Sequence, residues 1–212
     1  MSEILVDEIP VHLPREMEPT VSSAFEHARD QIIEQGRIVT EVTLDGRQIE
    51  WGDGSLVWHM PFLANMSMRI GTGDPWKISI SLLESLSDRL PGIADKHRKT
   101  AQLMTEADSK EVSSNILDLL RWWQEFSKAI ASLHALQNAI GNEVGQNCVA
   151  KHAGPATQVL VSKLQEFHVA ASKQDMDRVA ELLDNDLANI ADQWQDICQA
   201  IAVDLRMIAG PN

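Results

Sequence analysis

Apolar residues recur in alternating steps of four and three along two stretches of the chain. The first runs Val112, Ile116, Leu119, Trp123, Phe126, Ile130 and Leu133. The second runs Leu183, Leu187, Ile190, Trp194, Ile197 and Ile201. This spacing predicts two long helices, each with one apolar seam. The two also share a local pattern. Trp123-Gln124-Glu125-Phe126-Ser127-Lys128-Ala129-Ile130 is matched, 71 residues on, by Trp194-Gln195-Asp196-Ile197-Cys198-Gln199-Ala200-Ile201. The expectation over residues 74–212 is an antiparallel four-helix bundle made of two repeated helical hairpins.

The remaining helices follow from punctuation. Asp74-Pro75 is a start signal, with a capping side chain followed by Pro where its missing N–H costs nothing. Ile78, Leu82, Leu86, Leu90 and Ile93 form the expected stripe, and Pro91-Gly92 is expected to kink or break it. Asp108 with Glu111 resembles a capping box for a second helix from about Ser109 to Ile140. Gly141 and Gly145 end that helix. Gly154-Pro155 suggests one start for the third helix; the repeat favours a start around residues 144–148 with a kink near Pro155. Asp175 caps the fourth, and Gly210-Pro211 closes it.

Residues 1–73 change period. Ile4-Leu5-Val6 and Val11-His12-Leu13 predict a hairpin turning at Asp7-Glu8-Ile9-Pro10, with Pro10 and Pro14 confining it to an edge. Thr20 caps a helix that places Val21, Ala24, Phe25, Ala28 and Ile32 on one face before Gly36. Residues 37–44 alternate as a strand, Asp45-Gly46 is a hairpin turn, and residues 48–51 form the return strand. Leu56-Val57-Trp58 and residues 66–70 read as further strands, and Gly71-Thr72-Gly73 as a Gly-rich linker. This α+β order over about residues 3–72 resembles the β-grasp (ubiquitin-like) fold, and within it the small sulfur-carrier proteins of thiamine and molybdopterin biosynthesis. Those carriers require a free C-terminal Gly-Gly. Here the chain continues well past Gly73, so the carrier activity is not carried over and no functional residue transfers.

Composition narrows the function classes. The 212 residues carry a formal net charge of −13, which disfavours binding to nucleic acid and to anionic membrane surfaces. Lys96-His97-Arg98-Lys99 is a single basic cluster, read as a solvated helix face. The two cysteines, Cys148 and Cys198, fit a reducing compartment. The start of the chain shows no signal-peptide pattern and no apolar run is long enough to span a bilayer, so a cytoplasmic protein is expected.

Candidate chemistry is sparse. Ser132–Gly141 around His134 faintly resembles the histidine-phosphotransfer motif, but the places where that family keeps a Lys and a Gly hold Gln137 and Asn138. Without the cation, a phosphohistidine there loses its countercharge. Cys148 and His152 have metal-ligand spacing but lack partners nearby in sequence, and zinc wants three or four ligands; neither metal nor cofactor is expected. Asp184, Asp186, Asp192 and Asp196 read as a solvated helix face. Trp122 stands beside the seam without a counterpart in the second copy, so it either packs internally or joins His134 on a partner surface. The expectation is a non-enzymatic interaction protein, such as an adaptor, assembly factor or secretion-chaperone-like bundle. Its partner would be a protein, with a homodimer as one form. A phosphotransfer or small-molecule enzyme using His134 or the domain junction is the alternative.

Overall fold

The computed structural model describes residues 3–14, 19–50, 56–105, 109–140 and 148–210. The chain divides into two compact units, residues 1–78 and 79–212.

The first unit is a five-stranded mixed sheet with one long helix. Its strands are β1 (Glu3–Val6), β2 (Ile9–Val11), β3 (Ile38–Leu44), β4 (Arg47–Gln48) and β5 (Ser67–Gly73), in the order β2-β1-β5-β3-β4. The central pair β1 and β5 is parallel, and the other pairs are antiparallel. Helix α1 (Val21–Glu34) starts at Thr20, whose hydroxyl accepts the Ser23 N–H, and buries Val21, Ala24, Phe25, Ala28 and Ile32. Burying that stripe against Ile4, Val42, Met68 and Ile70 makes the core of this unit. Gly36 (φ +68°) and the Asp45-Gly46 turn (φ +50° and +77°) take the left-handed backbone that these turn residues tolerate.

Several expectations are corrected here. The first hairpin turns on Asp7 and Glu8 alone, both at positive φ, so β2 is Ile9–Val11 with Pro10 opposite Leu5. It remains an edge strand, as the prolines require. Residues 56–59 form a 3₁₀ turn, with Trp58 buried edge-on to Phe25 at 5.3 Å. The return strand is only Arg47–Gln48, and Trp51 lies outside the described residues. Gly71 to Gly73 are not a linker but the end of β5, paired with β3. Gly73 packs closely there: a Cβ would come within 2.5 Å of the Ile78 Cδ1, the tip of a side chain that would have to turn aside.

The second unit is helical: α2 (Pro75–Thr105, entered from the first unit), α3 (Ser109–Ile140), α4 (Cys148–Ser172), α5 (Met176–Glu181), a π-helical segment (Leu182–Leu187) and α6 (Ala188–Ala209). Asp74 caps α2 by accepting the Trp76 and Lys77 N–H groups at 2.8 and 3.2 Å. Asp175 caps α5 through the Arg178 N–H. The break expected at Pro91 does not occur, and α4 likewise runs through Pro155. Cys148 begins the described part of α4; the capping box at Asp108 and the glycines 141 and 145 fall outside the described residues.

Side-chain pairs give the helix directions. Arg98 meets Asp192 at 2.5 Å, Ser87 meets Gln199 at 3.2 Å, and Glu84 meets Arg206. Numbers rise on α2 as they fall on α6, so the two are antiparallel. His97 with Trp123 and Lys96 with Asp118 join α2 to α3; His152 with Asp204 joins α4 to α6.

The seam positions Leu119, Trp123, Phe126, Ile130 and Leu133 are buried, as are Leu183, Leu187, Ile190, Trp194 and Ile201. Two registers differ from expectation. In α6 Cys198 is fully buried and Ile197 only half, because a helix of about 3.6 residues per turn drifts off a strict seven-residue seam. In α2 the buried face is Ser79, Leu83, Leu86, Ser87, Leu90, Ala94, His97, Thr100 and Ala101. Much of it is small or polar, so apolar periodicity misplaces it onto Leu82 and Ile93. The basic cluster is accordingly no uniform solvated face, since His97 is 1% exposed.

Candidate functional site

Two features of the helical unit bear on function. The first is an apolar groove of about 320 Å³ on α3 and α4. Ile130, Ala131 and His134 come from α3, Ala153 and Leu160 from α4, and Trp194 from α6. His134 lies one helical turn beyond Ile130 and Ala131 and so shares their side of α3. Small side chains at Ala131, Ala153 and Gly154 leave the space open. A Cβ added at Gly154 would meet no atom within 4 Å.

Beneath it lies an aromatic cluster. Phe126 meets the Trp194 ring edge-on at 4.9 Å and stacks on Trp122 at 5.1 Å. Trp122 also meets Trp123 at 4.8 Å and is 7% exposed. Trp122 thus packs internally, held by its own neighbours on α3. His134 is exposed at the groove. Gln137, one turn on, is fully buried, and its Oε1 accepts the Val149 N–H at 3.4 Å. The structure therefore does not place Trp122 and His134 on one exposed patch.

The second feature is a three-residue cluster. Cys148 and His152 are one turn apart on α4, and Asp204 reaches them from α6. His152 Nε2–H donates to Asp204 Oδ2 at 2.9 Å, and the Cys148 thiol to the same oxygen at 3.7 Å. The potential ligand atoms of all three lie within 4.8 Å of one another. Burial and the neighbouring carboxylate push the Cys148 thiol up to about 11, so it is a thiol, not a thiolate, at neutral pH. The hydrogen bond from His152 holds the Asp204 carboxyl below its usual range. As a nucleophile the cysteine is thus poorly activated.

Sequence reasoning singled out Cys148 and His152 but not Asp204, which lies on another helix at a distance no spacing rule reaches. Of the four acidic residues read as a solvated helix face, Asp184 and Asp196 are exposed, while Asp192 pairs with Arg98 and Asp186 with Lys163 at 3.6 Å. Among the described residues no helix is long and apolar enough to cross a membrane. Comparison with family models, with curated proteins and with solved structures finds no match for this chain.

Proposed function

We propose that the protein is a non-enzymatic interaction protein whose α3/α4 groove receives one face of a cationic amphipathic helix from a partner. The apolar groove carries this reading. Its size suits one or two large side chains of a docked helix, at the low end of what a small-molecule pocket needs. The net charge of −13 supports a basic partner, which it would attract and orient. The same reading takes the helical unit as an antiparallel four-helix bundle of two related hairpins, supported by the antiparallel pairings and by the equally buried Trp123 and Trp194. It takes the first unit as β-grasp-like, supported by the strand order and the parallel central pair.

The test is binding of a labelled Leu/Lys amphipathic helical peptide, followed by anisotropy. Binding that is lost in Ala131→Arg, at an exposed groove position, and kept in Leu117→Arg, on the exposed side of α3, supports the reading. No binding to the wild-type chain, or equal binding to Ala131→Arg, overturns it.

A phosphotransfer reading has one observation in its favour, the exposure of His134. Against it stands Gln137, uncharged and buried, where a countercharge is needed.

A further inference from the structure

We propose that Cys148, His152 and Asp204 form a three-ligand site for a zinc ion, with a fourth position left to solvent. The donor set and its geometry carry this. One thiol, one imidazole and one carboxylate converge from two antiparallel helices, so the folded chain presents ligands that the sequence keeps 52 and 56 residues apart. A tetrahedral zinc with bonds of about 2.0–2.3 Å keeps its ligand atoms roughly 3.3–3.6 Å apart. Cys148 Sγ to Asp204 Oδ2 is 3.7 Å, and His152 Nε2 to the same oxygen is 2.9 Å. Small side-chain rotations separate the second pair and admit an ion without moving either helix.

The mixture of sulfur, nitrogen and oxygen suits zinc. Magnesium and calcium take oxygen ligands almost throughout. The site also has a closed and an open side. Cys148 is 6% exposed, whereas the side chains of His152 and Asp204 are 26% and 34% exposed. A metal can enter from that side, and water can complete its coordination. On binding, the His152 Nε2 proton leaves through solvent, with Nδ1 carrying the ring's remaining proton, and zinc takes the freed Nε2 lone pair and one Asp204 oxygen. The Cys148 thiol proton passes to solvent as the S–Zn bond forms. The hydrogen bond between His152 and Asp204 is replaced by their two bonds to one ion, which clamps α4 to α6.

The experiment is a cobalt(II) titration of the full chain, reduced and free of chelator. One equivalent should give a thiolate-to-cobalt charge-transfer band in the near ultraviolet and the visible bands of a four-coordinate ion, both displaced by zinc. Cys148→Ser should lose the charge-transfer band. Cys198→Ser, at the other thiol, should keep it. His152→Gln and Asp204→Asn should each weaken binding at least about tenfold, by analogy with losses on disturbing a metal's supporting shell. Absence of the thiolate band in the folded chain overturns the proposal, as does a band that survives Cys148→Ser. Unchanged affinity in both His152→Gln and Asp204→Asn does so too. Should Cys148→Ser fail to fold, ring ¹⁵N spectra of the wild-type chain decide. Zinc shifting one imidazole of the seven supports the site; zinc shifting none, or several, overturns it.

Discussion

Trp123 Nε1–H donates to His97 Nε2 at 3.0 Å, joining α3 to α2 inside the helical core. The accepted bond makes His97 the Nδ1–H tautomer and requires a neutral ring. Burial lowers its pKa from the ordinary 6.5 to about 3, and Arg98 adds to the effect.

Stability should therefore fall with acidity. The unfolded chain protonates this histidine below about 6.5 and the native protein does not, so unfolding takes up a proton there. The contribution is whole above that pH and is lost as pH falls toward about 3. At about 1.36 kcal/mol per pH unit, roughly 2.5 kcal/mol should go between pH 7 and 4.5. His97→Gln keeps an acceptor for Trp123 and cannot titrate. Urea unfolding should show its stability nearly flat over that range after allowance for carboxylates, which titrate lower.

The two seam tryptophans should respond differently to loss of the indole N–H. Trp123→Phe leaves His97 Nε2 buried and unpaired, for an expected loss of about 3 kcal/mol with the cavity included. Trp194 Nε1 has no partner among the described residues, so Trp194→Phe removes an unsatisfied donor and should cost about 1–2 kcal/mol. Denaturant midpoints at pH 7 test the order. An equal or reversed order would show that Trp194 has a partner in solution.

Glu8 holds φ at +66°, a conformation that costs a side-chain-bearing residue about 1–2 kcal/mol. Its pair with Arg69 at 3.2 Å is exposed and contributes little. Glu8→Gly should raise stability by about 1 kcal/mol, and a lower melting temperature would contradict this.

Pro91 sits inside α2, where it denies the helix one hydrogen bond. Pro91→Ala should restore it and stabilise the chain by about 2 kcal/mol, after the greater freedom of the unfolded chain is deducted. Thermal unfolding followed by far-UV circular dichroism is the measurement.

What the sequence determined by itself is whatever is local. The α1 face and its cap at Thr20 are written in spacing and hydroxyl placement, as are the turn at Asp45-Gly46 and the seams through Trp123 and Trp194. These depend on neighbours within a few residues. The basic cluster hid His97, although Leu90, Ala94, His97 and Ala101 fall in helical register and could have revealed it. Tertiary structure decided the rest. Pro91 stays within α2 because packing along a 31-residue helix outweighs one lost hydrogen bond. Gly73 belongs to a strand because β5 pairs with β3 as far as Gly73, which stands opposite Ile38. Asp204 joins Cys148 and His152 only because α4 and α6 run antiparallel, which brings residues 52 and 56 apart to one oxygen atom.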